Sequence, residues 1–118
     1  MLVLDHIGKP AIAKGLLDPW RAQIRELARM DHVYCKLSGM ATEADWKAWT
    51  IDDLRPYALT VLDAFGFDRV MFGSDWPVAT LAVGYREWLD VVERLIEGAS
   101  AAERLALLRD TATRFYRL

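Results

Sequence analysis

A parallel α/β fold is what the sequence predicts, on three observations. Three short apolar segments, Leu2 to Leu4, Val33 to Leu37 and Arg69 to Phe72, each end in polar or glycine-bearing turn residues. After each runs a stretch whose apolar residues include a set recurring near the 3.6-residue helical period. The units also repeat, with 32 residues from Asp5 to Leu37 and 35 from Leu37 to Phe72. Strands alternating with helices make βαβ units and a parallel sheet. Three units in about 100 residues is the pitch of a (β/α)8 barrel, which takes roughly 250 residues for eight. It is equally the pitch of half a doubly wound sheet.

The first strand ends at Asp5-His6, and Gly8-Lys9-Pro10 reads as a loop. Asp18-Pro19 predicts a helix start, with Asp as the capping acceptor and Pro at the first helical position. Trp20, Ile24, Leu27 and Ala28 carry that helix to about Met30. The second strand ends at Ser38-Gly39. The polar stretch from Ala41 to Thr50, holding Trp46 and Trp49, is longer than a simple connection and predicts a short helix or lid. Thr50 to Asp53 resembles a capping box, and Leu54, Ala58, Val61, Leu62 and Phe65 form the stripe of the helix it opens. Pro56 places the regular part of that helix near itself. The third strand ends at Gly73-Ser74-Asp75-Trp76-Pro77. Tyr85, Trp88, Leu89, Val92 and Leu95 predict a third helix closed by Gly98. Ser100 to Glu103 is a capping box opening a last helix with Leu105, Leu108, Ala112, Phe115 and Tyr116 on its face. No linker or low-complexity tract interrupts residues 1–118, which read as a single domain.

Composition narrows the function. Apolar residues make up 53% of the 118, enough for a core, and 27% are charged. Fifteen Lys and Arg against 17 Asp and Glu give a net charge of −2, which argues against a nucleic-acid surface. No apolar run is long enough to cross a membrane. Met1 to Asp5 lacks the basic and long apolar regions of a secretory signal. The single cysteine, Cys35, forms no internal disulfide and no zinc knuckle. A reducing, cytoplasmic location is the expectation.

In parallel α/β folds sites form where the C-terminal ends of strands meet the following loops. Strand one offers Asp5, His6 and Lys9 there, strand two Lys36 and Ser38, strand three Ser74, Asp75 and Trp76. His6, Lys36 and Asp75 stand at equivalent places and are expected to face one mouth. A histidine there ligates a metal, transfers a proton, or is merely structural. A carboxylate binds a metal, takes a proton from attacking water, or caps a turn. A lysine stabilises an oxyanion, and Lys36 within an apolar strand is costly to bury without a partner. His32 reads as a loop residue on the opposite side. Cys35 is expected to face a helix, and Trp20, Trp46, Trp49 and Trp88 to serve packing. Trp76 is the one tryptophan expected in the mouth.

Three motifs carry a resemblance: Leu4 to Pro10 (LDHIGKP), Lys36 to Gly39 (KLSG) and Phe72 to Val78 (FGSDWPV). Together they resemble the amidohydrolase-2 branch of the metal-dependent hydrolases, and within it the sugar-lactonase subgroup. Arg114 to Leu118 is also similar to that family's C-terminus. The resemblance covers essentially the whole chain. It implies a TIM-like barrel, of which this chain would be the sixth to eighth strands with their helices and the final helix. It implies that His6 is a metal or substrate ligand, and that Asp75 activates water and touches the metal. Lys9 and Trp76 would line the pocket; Lys36 and Ser38 match no family residue of stated role and are substrate-binding candidates by their place at the strand end alone. Zinc, manganese and a reaction without metal all stay open. The family pattern also has a His-x-His pair on its first strand, whereas this chain has two histidines, His6 and His32, and no such pair.

The resulting expectation is the C-terminal three βα units and final helix of an incomplete barrel. Its parent hydrolyses a small lactone through an Asp-activated water, and the piece itself is inactive. The inward strand faces are expected to lie open, and the first strand to be an apolar edge, so the isolated chain should self-associate. A decarboxylase or amide hydrolase of the same superfamily is the alternative reaction. A non-catalytic α/β module that pairs with another chain is the alternative of a different kind. A small-molecule substrate, with no nucleic-acid or membrane partner, is the expected ligand.

Overall fold

The computed structural model describes residues 1–118. Its strands are β1 (Leu2–Leu4), β2 (Val33–Leu37) and β3 (Val70–Phe72). They form one parallel sheet in the order β1-β2-β3, with Leu2 opposite Val33 and Cys35 opposite Val70. The principal helices are α1 (Trp20–Ala28), α2 (Ile51–Phe65) and α3 (Tyr85–Leu95). A last helical stretch comprises α4 (Ala101–Leu105), a π turn (Ala106–Asp110) and α5 (Thr111–Tyr116). No helix is long and apolar enough to cross a membrane.

The core follows from the strand and helix periods. Along β2, Val33, Cys35 and Leu37 are buried while Tyr34 and Lys36 are half-buried, the alternation of a two-faced strand. The buried set joins one hydrophobic core with Trp20, Ile24 and Ala28 of α1 and with Leu54, Ala58, Val61 and Phe65 of α2. Cys35 thus faces the helices, and burial pushes its thiol pKa up to about 12. Both expected capping boxes are present. Thr50 accepts from the Asp53 amide while Asp53 accepts from the Thr50 amide, and Ser100 and Glu103 do the same.

Four local expectations are corrected. Asp18 does not cap the α1 backbone: Pro19 occupies the cap position, and the Asp18 carboxylate accepts from the Arg21 guanidinium at 2.6 Å instead. Pro56 lies inside α2, whose regular turns begin at Ile51, because the capping box secures the first turn ahead of it. Arg69 precedes β3 rather than belonging to it, and its guanidinium donates to the carbonyls of Ala28 (2.8 Å), Met30 (3.0 Å) and Val33 (3.1 Å). A cation among the last carbonyls of a helix satisfies acceptors that have no helical partner. Here one side chain ties the end of α1 to the start of β2 and β3.

The fourth concerns the second face of the sheet, expected to lie open. The chain covers part of it with its own C-terminal residues. Phe115 packs on Tyr34 with ring centroids 5.1 Å apart, and the Lys36 ammonium sits 5.9 Å from the centre of the Tyr116 ring. Met71, opposite Lys36 in the register, is buried. Apolar side chains of the last helix reach this face because β3 packs against both the π turn and α5. The β1 edge does remain unpaired, and Leu2 on it is 61% exposed.

The buried thiol predicts an alkaline weakness. The folded chain keeps the Cys35 proton until about pH 12, against a reference value of 9.0. The folded state therefore binds the extra proton across that window, and the stability it confers is lost as pH rises through it. Urea unfolding at pH 8 and pH 11 measures the loss. Cys35→Val should remove a component of up to roughly 3 kcal/mol, at about 1.4 kcal/mol per pK unit.

Candidate active site

The three strand ends carry the site. After β1 the turn Asp5–Gly8 holds His6 (φ 51°), Ile7 (φ 47°) and Gly8 (φ 76°) in the left-handed region, and Lys9 follows at φ 52°. A β-branched residue there is a genuine outlier. Two contacts hold it. Ile7 is fully buried, and the Trp20 indole Nε1 donates to its carbonyl at 2.7 Å. After β3, Asp75 is also left-handed at φ 54°. Sparsely populated backbone that persists is concentrated at functional sites. Here it falls on the histidine and the aspartate that the strand-end argument singled out.

The side chains form a row across the strand ends. His6 Nε2 lies 3.6 Å from Asp75 Oδ1 and 3.6 Å from Asp5 Oδ2. Asp5 Oδ1 in turn lies 3.4 Å from Lys36 Nζ. On the other side of the imidazole, Nδ1 and Ser38 Oγ share a hydrogen bond of 2.8 Å whose direction follows the ring tautomer. When Nδ1–H donates to Ser38, the Nε2 lone pair is free toward Asp75. Burial works against the Lys36 charge. The Tyr116 side chain and the Asp5 carboxylate outweigh it and hold the ammonium above the ordinary lysine pKa.

His6, Lys9 and Asp75 line one cleft of about 390 Å³, with Thr42, Glu43 and Trp46 from the second loop. Asp75 is only 14% exposed there. The other expected site residues stand elsewhere, each for a visible reason. Ser38 is fully buried behind the imidazole, so it orients His6 and cannot touch a substrate. Lys36 is engaged by Asp5 and Tyr116 outside the cleft lining. Trp76 is 63% exposed and lies outside the lining, because the reversal at Asp75 turns that carboxylate inward and the next side chain outward.

Other contributors escaped the sequence reading. Glu43 pairs with Lys9 at 3.5 Å. Trp46, expected in the packing, is half exposed on the cleft wall. Gly39 and Gly73 matter for what they lack. A Cβ on Gly39 would lie 3.0 Å from the His6 ring, and one on Gly73 would lie 2.9 Å from both Lys36 and Ser38. A glycine just after a strand is the signal that marked both places, although it does not say what fills the space.

The amidohydrolase family model matches residues 1–118. The chain belongs to the amidohydrolase family. Among curated amidohydrolases it is 53% identical, over 127 residues, to an L-fucono-1,5-lactonase of Burkholderia multivorans. The match takes in 99% of this chain and 43% of that relative. A crystal structure of an amidohydrolase from Burkholderia multivorans with bound zinc superimposes with a TM-score of 0.92 at 53% identity, over 98% of this chain and 43% of that one. A Pseudomonas putida structure assigned as a 2-pyrone-4,6-dicarboxylic acid hydrolase gives 0.77 at 30% identity, over 98% and 42%. This amidohydrolase chain therefore spans less than half the length of the relatives it matches.

The zinc in one of those structures raises the question of fit. In this amidohydrolase chain His6 Nε2 and Asp75 Oδ1 face one another. No group of three or more His, Cys, Asp or Glu side chains converges to hold an ion. Catalytic zinc sites use three protein ligands. The residues of this chain do not by themselves make a zinc or manganese centre.

The glycine constraint gives a direct prediction. Gly73→Ala should cost about 1–3 kcal/mol in urea unfolding by overpacking against Lys36 and Ser38. Gly98→Ala, whose Cβ meets nothing within 4 Å, should stay within about 0.5 kcal/mol of the parent.

Proposed function

We propose that this chain is the C-terminal part of a lactone hydrolase of the amidohydrolase type, supplying three βα units and the final helix of a TIM-like barrel. The observation that carries the reading is the approach of His6 and Asp75 at the mouth of the sheet, each on a left-handed backbone position. The names of two of the relatives, a fuconolactonase and a pyrone-dicarboxylic acid hydrolase, support a lactone as the bond attacked.

In the proposed reaction, Asp75 takes a proton from a water in the cleft. The water oxygen attacks the lactone carbonyl carbon, and the carbonyl π pair moves onto oxygen. His6, oriented from behind by Ser38, donates from Nε2–H to that oxyanion. For this step Nδ1 accepts from the Ser38 hydroxyl, the other direction of the same hydrogen bond. The tetrahedral centre collapses, the ring C–O bond breaks, and the departing alkoxide recovers its proton from Asp75. The product is an open-chain hydroxy acid. Lys36, the earlier candidate for oxyanion stabilisation, instead holds Asp5 in place. The protein works on a small soluble substrate in the cytoplasm. The chain alone is inactive and self-associates along the free β1 edge.

The test joins this chain to the portion of the Burkholderia multivorans lactonase that it does not match. The chimera should hydrolyse a 1,5-aldonolactone, and Asp75→Asn should lower kcat by about 10²–10⁴-fold, the usual worth of a general base. An Asp75→Asn chimera with full activity would end the assignment.

A further inference from the structure

The second loop was expected to be a short helix or a lid. It opens with a short 3-10 helix, Ala41–Glu43, and is anchored as a wall of the cleft. Ala41 and Ala44 are buried, the Thr42 hydroxyl donates to the Gly39 carbonyl at 3.1 Å, and the Trp49 indole donates to the Ala82 carbonyl at 2.9 Å. These contacts tie the segment to the ends of β2 and to the loop after β3. Within it, the Trp46 indole Nε1 donates to the Thr42 carbonyl at 2.8 Å. The one polar atom of that side chain is thereby used, while half of its surface stays open to solvent on the wall of the cleft. A large apolar side chain left exposed with its polar atom satisfied offers a face to a ligand.

The chemistry around it is selective. Val78 and Leu81, both exposed, line the same cleft and add apolar surface. Glu43 offers acceptors, Lys9 offers donors, and the Thr42 oxygen keeps an unused lone pair, because its hydrogen is committed to Gly39. A sugar ring matches this set. Its C–H face packs on an aromatic face, which is electron-rich, while its hydroxyls pair with neighbouring donors and acceptors. The residues that this chain supplies suit a dicarboxylate less. Each of the two lysines near the mouth already has a carboxylate partner, Lys9 with Glu43 and Lys36 with Asp5, and Asp75 adds a further negative charge. None of this chain's residues lining the cleft is an arginine.

We propose that Trp46, flanked by Glu43 and Lys9, is the platform on which this cleft receives a neutral polyhydroxylated six-membered ring, and that it sets the preference for such rings over dicarboxylate lactones. The proposal rests on the reading of the cleft as a lactone site and deepens it to a substrate class. Trp46 is a specificity residue, and it makes no bond to the reacting atoms.

Two measurements test it, and they separate its failure from that of the hydrolase reading. The first is equilibrium binding by the chimera, followed through the indole N–H resonances, with Trp46→Phe identifying the Trp46 signal by its loss. L-fucose, a stable neutral ring, should shift that signal saturably in the millimolar range. 2-Pyrone-4,6-dicarboxylate should leave it in place. The second is kinetics in the chimera with a 1,5-aldonolactone. Trp46→Ala should raise KM at least tenfold with kcat within about threefold, and Trp46→Phe should restore most of the affinity. An unmoved Trp46 signal, an equal shift with the dicarboxylate, or an unchanged KM in Trp46→Ala would overturn the proposal. A chimera that binds the sugar at Trp46 but hydrolyses no lactone would overturn the hydrolase reading and leave this one standing.

Discussion

Two missing side chains let the three strand ends come together. At Gly39 the space for a Cβ is taken by the His6 ring, and at Gly73 by Lys36 and Ser38. A Cβ at Gly39 requires the His6 ring to give by a few tenths of an ångström, and one at Gly73 requires the Lys36 and Ser38 side chains to shift. The contacts at the mouth are made by the same side chains that would have to move. They are the 2.8 Å bond from Ser38 to His6, the 3.6 Å approach of His6 to Asp75 and the 3.4 Å pair of Lys36 with Asp5. The site is thus set by the backbone of β2 and β3 before any functional side chain is placed.

The tryptophans hold what the glycines permit. Trp20 donates to the carbonyl of Ile7, Trp88 to that of Gly73, Trp49 to that of Ala82 and Trp46 to that of Thr42. Each indole reaches a carbonyl in a connection that follows a strand, a group that has no partner in the sheet. Left-handed backbone costs roughly 1–2 kcal/mol per residue, and a net hydrogen bond returns about 1. The bond to Ile7 alone does not offset the strain of the first loop. Complete burial of the Ile7 side chain, worth about 1.5–3 kcal/mol, closes most of the difference. The strained histidine is therefore carried by the apolar residue beside it.

Local signals in the sequence carried much of this architecture, and long-range ones did not. The β1 strand, the two capping boxes and the stripes of α2 and α3 are written in residues a few positions apart, where period and hydrogen-bonding chemistry act directly. The gathering of His6 and Asp75 followed from the general rule for parallel sheets. Ser38 looked like a pocket residue because alternation gives the face of a side chain and not its depth, and its place behind the imidazole depends on a residue 32 positions away. Asp18 took Arg21 rather than the helix amides, a competition that propensity does not decide. The return of Phe115 and Tyr116 onto the second face of the sheet, and the outward-facing ring of Trp46, rest on contacts that no local pattern encodes.

The central claim is that His6 and Asp75 act as one unit on one substrate. A double-mutant comparison in a lactone-hydrolysing form of the protein tests it most directly, by measuring kcat/KM for His6→Ala, Asp75→Asn and the pair. Groups that serve one transition state together lose their effect together. The account predicts a double variant no slower than about threefold below the worse single one. Losses that multiply would mean that the two residues work independently, and would contradict it.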